Sequence, residues 1–110
     1  MFKQKEWLFK GESGTEYRFA IFSKSSPVPE YAGIYILAYT HPRGHRAGFE
    51  THLLTIGESN NLNAALKIPP HRDCLKDACW NCIYLLEIEN QDDRRKILHD
   101  LIKRNQPTCQ

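Results

Sequence analysis

Four residues in the second half of the chain carry side chains that bind zinc, at a spacing that resembles two half-sites. His71 and Cys74 form one pair with two residues between them, and Cys79 and Cys82 form the other. Imidazole and thiolate are the usual ligands of structural zinc. The gap between the pairs is short beside the roughly 12–20 residues of common zinc motifs, and Cys82 opens an apolar stretch where a free cysteine would pack as a small hydrophobic residue. The segment is compatible with a zinc ion and with buried thiols.

A second group of side chains could contact phosphate or an acidic protein surface. Its members are basic or titratable near neutral pH and lie in the loop after Thr40 or near the end of the first predicted helix: Arg43, His45, Arg46, Lys67, His71 and Arg72. Brought together, they would form a basic patch for a phosphate backbone. The alternative is a solvated loop with ordinary charges. Arg94-Arg95-Lys96 and Lys103-Arg104 are predicted to be solvated faces of the last helix.

Composition is typical of one soluble globular domain, with 110 residues, 41% hydrophobic and 25% charged. A net charge of +2 is compatible with nucleic-acid binding but is too small to indicate it. No apolar run reaches the roughly 18 residues of a membrane span, and the N-terminus lacks the apolar segment of a secretory signal. We therefore expect a cytoplasmic protein with no membrane partner. Its four cysteines are expected to be thiols or metal ligands and not a disulfide framework.

Residue patterning predicts five elements in the first part of the chain, up to Pro69-Pro70. Alternation over Glu6–Lys10 and Glu16–Ser23 predicts an N-terminal hairpin, and residues 33–39 and 52–56 are rich in β-branched and aromatic side chains, which predicts two central strands. Residues 40–51 would be a long connection between them. Ser59 or Asn60 can cap a short helix that Pro69-Pro70 would stop.

Two further elements complete the chain. Residues 82–88 predict a third core strand. Asn90 is a plausible cap for a final helix. Its buried stripe repeats at helical spacing and consists of Ile97, Leu98, Leu101 and Ile102.

The order of these elements, with Gly33-Ile34-Tyr35 on one central strand and Thr55-Ile56-Gly57 ending the next, resembles the GIY-YIG nuclease superfamily. The likeness spans residues 31–110. The hairpin extends it, because its residues match a pattern of small bacterial single-domain members: Phe9, Gly11, Ser13, Gly14, Tyr17 and Phe19. Other matches are Gly57-x-Ser59-x-Asn61-Leu62, His71, Cys74, Arg94, Asp100-Leu101-Ile102 and Pro107-x-Cys109, and family members also have cysteines at Cys74 and Cys109. The resemblance implies a single domain over residues 1–110 that combines helices and strands, an α/β fold in the broad sense and α+β in the narrower one. Residues 1–24 would be a hairpin extension, and residues 31–110 would be the core. That core would be a small mixed central β-sheet flanked by helices.

Active members of that superfamily use a tyrosine from each signature strand, an arginine on the first helix and a glutamate on the last, the glutamate holding a divalent metal such as magnesium. The first tyrosine is matched by Tyr35. The second position is Thr55, a shorter hydroxyl, and the arginine position, eight residues after Gly57, is Ala65. The glutamate position is Leu98, two residues before Asp100.

Possible substitutes for these groups are few. Lys67 lies on another side of the helix from Ala65, since residues i and i+2 do not share a face. Only Glu58 or Asp100 could supply a displaced carboxylate. The asparagine that ends the family's Pro-x-Cys-Asn is replaced by Gln110.

These departures predict a non-catalytic member with a vestigial site at Tyr35, Thr55, Gly57, Ala65 and Leu98. It would bind nucleic acid, or a protein that handles nucleic acid, as a regulator or inhibitor of bacterial or phage origin. No cofactor is expected. Two alternatives remain open: a weak endonuclease that depends on a divalent metal such as magnesium, and a structural or zinc-stabilised interaction module.

Overall fold

Five β-strands and three helices make up an α+β fold in the computed structural model, which describes residues 5–43 and 48–110. The strands are β1 (Glu6–Lys10), β2 (Glu16–Ser23), β3 (Gly33–Pro42), β4 (Phe49–Ser59) and β5 (Cys82–Glu87), and the helices are α1 (Leu62–Lys67), α2 (Arg72–Asp77) and α3 (Gln91–Asn105). Within those residues no helix has both the length and the apolar character needed to cross a membrane.

The N-terminal hairpin forms as the alternating pattern predicts. β1 and β2 pair antiparallel, with Trp7 opposite Phe19 and Phe9 opposite Tyr17. Gly14 has a φ of 88° in the turn, a conformation that glycine adopts without steric cost. β2 also pairs with β5, so the hairpin supplies two strands of the main sheet and is more than an extension of the core.

All five strands belong to one sheet with the order β1-β2-β5-β3-β4. A mixed central sheet was expected, and that expectation is wrong for the described strands, because every neighbouring pair is antiparallel. The path of the chain explains the difference. After β4 it returns to the Gly33 end of β3, and α1 and α2 then carry it to the other end, so β5 begins beside Ala38 and runs against β3.

Side chains from the two faces of the sheet build two separate cores. On one face, strand residues such as Ile34, Ile36 and Tyr84 pack with Leu101 of α3. On the other face, Tyr35 and Leu37 belong to a cluster that includes Leu62 of α1, Leu75 of α2 and Cys109. This alternation follows from the two-residue period of a strand. We call the first the α3 face and the second the α1–α2 face.

Helix α3 begins where its cap was predicted. The Asn90 side chain accepts a hydrogen bond from the backbone N–H of Asp93 at 3.0 Å, and Leu101 is fully buried with Ile97, Leu98 and Ile102 packed around the same core. The predicted apolar stripe is therefore confirmed. Arg94 was expected on a solvated helix face and is instead only 4% exposed, because its guanidinium turns inward to a carboxylate and two carbonyl groups.

Helices α1 and α2 differ from the sequence-based expectation in detail and in number. α1 is capped by Asn61, whose side chain accepts from the Ala64 N–H at 3.1 Å, one or two residues later than expected. α2 was not predicted. Its C-cap is Ala78, and the next residue, Cys79, lies in the left-handed region at a φ of 63°. Backbone hydrogen bonds from Cys79 to Lys76 and from Trp80 to Leu75 close the helix there.

Residues 108–110 run along β4 and are tied to α2. The Cys109 N–H donates to the Leu54 carbonyl at 2.6 Å, and the Gln110 side chain bonds to both backbone groups of Ile56 at 2.8 and 2.9 Å. Cys74 and Cys109 form a disulfide across Cα atoms 5.7 Å apart, within the usual range for such a bond. The expectation of thiols or metal ligands is therefore wrong for this pair.

Candidate nucleic-acid interface

Three of the five positions predicted to form a vestigial site meet on the α1–α2 face of the sheet. Tyr35 lies opposite Gly57 in the β3–β4 pairing, and a Cβ atom at residue 57 would overlap the Tyr35 hydroxyl. Thr55 is 2% exposed, and its hydroxyl donates to the Cys109 carbonyl at 3.2 Å. Gly57 therefore makes room for a packed tyrosine, and the Thr55 hydroxyl serves the fold.

The Tyr35 phenol is poorly placed to activate water. It is 8% exposed, and burial together with the negative charge of Glu58 raises its pKa above the ordinary tyrosine value. An activating environment would lower that pKa. Ala65, at the arginine position, sits half-buried on α1 and offers only a methyl group.

Leu98, the position matched to the family's glutamate, lies on the opposite face of the sheet. It packs against the α3-face core with Leu101, whereas Tyr35 belongs to the α1–α2 core. The sheet therefore separates Leu98 from Tyr35, Thr55 and Gly57. Residue 98 does not complete a site with them.

The two carboxylates that the sequence offers as substitutes for the family's glutamate, Glu58 and Asp100, are both held in other contacts. Glu58 accepts a 2.8 Å hydrogen bond from Arg94 Nε. Asp100 accepts hydrogen bonds from Tyr17 and from the side chain and backbone of Ser13 at 2.6–2.8 Å. Asp100 lies on α3, which packs on the other face of the sheet from Tyr35, and Glu58 is bound to Arg94 of the same helix.

The four candidate zinc ligands do not converge. Cys74 is bonded to Cys109, Cys82 is buried in the α3-face core, and Cys79 is exposed at the end of α2. His71 lies before α2 with an exposed side chain. Cys74 and Cys82 end up on opposite faces of the sheet, so a zinc ion at this set is not compatible with the fold.

Basic side chains gather instead around Trp80, at the point where α2 leads into β5. The Lys24 ammonium lies 4.9 Å from the centre of the indole ring. Two open cavities adjoin this pair, and both are lined by Lys24 and Trp80. Lys67 lines the first, and Arg72 and Lys76 line the second. We call this surface the Trp80 groove.

Charge in the Trp80 groove is strongly unbalanced. Four cations border it, and Asp73 is the acidic residue among the described side chains that line its two cavities. The indole N–H donates to the Cys82 carbonyl at 3.0 Å, which fixes the ring in its place. An aromatic ring held rigidly among several cations can stack on a base and attract phosphate groups.

The predicted basic patch is only partly assembled. Lys67 and Arg72 border the Trp80 groove, and His71 and Arg72 line a neighbouring cavity beside Cys74. Arg43 lies at the end of the β3–β4 hairpin, where its N–H donates to the Gly48 carbonyl, and it lines neither cavity of the groove. His45 and Arg46 lie outside the described residues.

Three residues of the groove were missed from the sequence: Lys24, Lys76 and Trp80. Lys24 is distant in sequence and reaches the groove because β2 pairs with β5, with Ser23 opposite Cys82. The usable signal was Trp80, an aromatic residue in a polar segment between Lys76 and the strand that Cys82 begins. The zinc-like spacing of Cys74, Cys79 and Cys82 around it favours a different interpretation of this segment.

Comparisons of the chain with models of known protein families, with curated proteins and with solved structures found no match. The resemblance to GIY-YIG nucleases therefore stays a prediction from its motifs. What this surface can bind is therefore inferred from the positions of its own side chains.

Proposed function

We propose that this chain is a non-catalytic, GIY-YIG-like domain that binds single-stranded nucleic acid in the Trp80 groove. The observation that carries the proposal is the position of the Lys24 ammonium over the Trp80 ring, with Lys67, Arg72 and Lys76 around it. The cations would contact the phosphates. A base would stack on the indole in the place that Lys24 takes in the free protein.

The side chains around Tyr35 support the proposed lack of catalysis. The phenol is buried, and its pKa is raised. Ala65 provides no cation, and Leu98 faces the other core. Phosphodiester cleavage needs a positioned cation and an activated water. The described residues around Tyr35 supply neither.

Single-stranded nucleic acid fits the groove better than a duplex or an acidic protein. A stacking platform reads the open face of a base, which a duplex hides inside its helix. An acidic protein would be attracted by the four cations but would gain little from the indole. Since the net charge of the chain is only +2, binding would depend on this local concentration of cations.

The test measures fluorescence anisotropy of labelled single-stranded DNA and RNA of the same sequence, at several salt concentrations. Binding is expected to weaken with added salt as counterions are released. The double variant Lys24→Ala/Arg72→Ala should bind at least about tenfold more weakly and show a shallower salt dependence. Trp80→Leu should cost about 1–3 kcal/mol of binding free energy through lost stacking.

The matched control is Arg95→Ala/Lys96→Ala, which removes two cations from the exposed surface of α3. It should bind as the unaltered protein does. Equal losses in both double variants would mean that only overall charge matters and would contradict the groove. Tighter binding of labelled poly-glutamate than of either nucleic acid would favour an acidic protein as partner.

A further inference from the structure

Two histidines and a glutamate converge on one face of the β3–β4 hairpin. His41 lies opposite Glu50, and His52 lies two residues further along β4, opposite Tyr39. Side chains two residues apart on a strand share a face, and diagonal neighbours on paired strands are within reach of each other. The three side chains therefore meet although 11 positions separate His41 from His52.

The ligand atoms of this cluster lie at distances that suit one metal ion. His41 Nε2 and His52 Nε2 are 3.0 Å apart, and Glu50 Oε2 lies 3.5 Å from the first and 3.9 Å from the second. The radius of the circle through the three atoms is the product of the three sides divided by four times the area of their triangle. It is about 2.0 Å, which matches zinc–nitrogen and zinc–oxygen bond lengths.

We propose that His41, Glu50 and His52 bind a zinc ion. Two imidazoles and one carboxylate are a ligand set that zinc accepts and that magnesium, which prefers oxygen, does not favour. The three side chains would leave the fourth position of a tetrahedral zinc ion to a water molecule, because the Glu50 and His52 side chains are 58% and 53% exposed.

A hydrogen bond to the backbone sets the tautomer that the proposal needs. His41 Nδ1 lies 2.7 Å from the Pro42 carbonyl oxygen. A carbonyl can only accept, so Nδ1 carries the hydrogen, and in the neutral ring Nε2 presents its lone pair to the cluster. In the free protein that lone pair accepts a hydrogen bond from His52 Nε2. On zinc binding, the His52 ring would take its other neutral tautomer, with the proton on Nδ1, so that both Nε2 lone pairs would face the ion.

Stacked rings hold both imidazoles in position. Tyr39, His41 and His52 have ring centres 5.1–6.0 Å apart and planes within 26° of one another. In metal sites, the ring nitrogen that does not bind the metal is commonly held by a carbonyl group, as His41 Nδ1 is held here by Pro42. The stacked rings restrict the orientation of the imidazoles further. The site is separate from the Trp80 groove and does not depend on the proposed nucleic-acid binding.

Isothermal titration of the intact, tag-free protein with zinc chloride tests the proposal. One equivalent should bind near neutral pH. His41→Ala, His52→Gln and Glu50→Gln should each weaken binding by at least roughly tenfold. His99→Ala, which removes an exposed histidine elsewhere, should leave the affinity unchanged. Unfolding midpoints of all variants without zinc confirm that each is folded.

Cobalt(II) substitution separates this site from a thiolate site. Bands in the visible region without a thiolate charge-transfer band in the near ultraviolet are expected, and Cys79→Ser should leave the spectrum unchanged. A thiolate band that disappears in Cys79→Ser would overturn the proposal. So would binding that survives His52→Gln undiminished, or the absence of zinc binding in the unaltered protein.

Discussion

The Tyr17 hydroxyl donates a 2.6 Å hydrogen bond to the Asp100 carboxylate and so joins the N-terminal hairpin to the last helix. Ser13 adds hydrogen bonds to the same carboxylate from its hydroxyl and its N–H. A Cβ at Gly11 would overlap that carboxylate. The glycine, serine and tyrosine of the hairpin motif therefore hold the Asp100 carboxylate of the same chain. The motif is explained by the packing of the hairpin on α3 and needs no catalytic role.

Asp100→Asn should lower stability at neutral pH, and the loss should depend on pH. Hydrogen bonds from Tyr17 and Ser13 hold the pKa of Asp100 below its usual value. A depressed pKa in the folded state stabilises the fold above the unfolded pKa of about 3.9 and loses this effect as pH falls through the folded value. The urea midpoints of the two proteins should therefore differ at pH 7, and the difference should shrink as pH falls below the unfolded pKa.

Asp77→Asn is the matched control for this prediction, because Asp77 is exposed at the end of α2. Its midpoint should follow that of the unaltered protein at every pH. A constant difference between Asp100→Asn and the unaltered protein down to pH 2 would contradict a role for the charged carboxylate.

The ion pair between Arg94 and Glu58 predicts a larger loss. Arg94 Nε donates to Glu58 at 2.8 Å, and its Nη1 donates to the carbonyls of Ile88 and Glu89. Arg94→Met removes all three bonds and leaves a partly buried carboxylate without its cation, so we expect a loss of about 3 kcal/mol in the free energy of unfolding. Denaturant titration measures it.

Arg94→Lys is the informative comparison. It keeps the charge, but an ammonium lacks the planar fork that reaches a carboxylate and two carbonyls together. An intermediate stability is expected. If Arg94→Lys and Arg94→Met are equally unstable, the shape of the guanidinium and not its charge holds the helix to β4.

The Cys74–Cys109 disulfide should stabilise the fold by about 3–4 kcal/mol, as the loss of chain entropy for a loop of this length implies; the two residues are 35 positions apart. Cys74→Ser changes the exposed member of the pair and should lower the unfolding free energy by that amount. A reductant should lower the midpoint of the unaltered protein and leave that of Cys74→Ser unchanged. Cys79→Ser, at an exposed free cysteine, is the control.

Local patterns predicted the elements well because those patterns act over a few residues. The hairpin, the β5 strand and the Asn90 cap each follow from alternation or from one side chain next to its own backbone. The pairing of Cys74 with Cys109 could not be derived this way. It depends on α2 and on residues 108–110 meeting over the same face of the sheet, which no local signal records.

Strand length explains why the His41 cluster was missed. Residues 40–51 were expected to be a loop, whereas β3 continues to Pro42 and β4 begins at Phe49. Only a paired register makes His41 a neighbour of Glu50 and His52. The motif match at Leu98 has the same limit, because spacing along the chain does not show which core a residue joins. Leu98 lies two residues before Asp100, as the motif requires, but it packs in the α3-face core and not in that of Tyr35.

The protein should not cleave nucleic acid. Supercoiled DNA, single-stranded DNA and RNA should stay intact with magnesium or manganese, because the buried Tyr35 and the methyl group of Ala65 cannot activate water or stabilise the developing charge. Gel electrophoresis measures this. Tyr35→Phe distinguishes residual activity from contamination, since metal-dependent nicking that vanished in this variant would show that the site is active.

Alkaline pH should destabilise the fold through Tyr84. Burial raises the pKa of this phenol to about 12, and its hydroxyl bonds to those of Thr40 and Thr51 at 2.8 and 3.0 Å. In the unfolded chain the phenol ionises near pH 10. A raised folded pKa contributes stability that is complete below pH 10 and is lost as pH rises toward 12.

Urea midpoints should fall across this pH interval. In Tyr84→Phe they should start from a lower value, because the hydrogen bonds to the two threonines are gone, and they should fall less steeply. A slope that is the same in both proteins would assign the alkaline loss to the other phenols whose pKa values burial raises, Tyr17, Tyr31 and Tyr35.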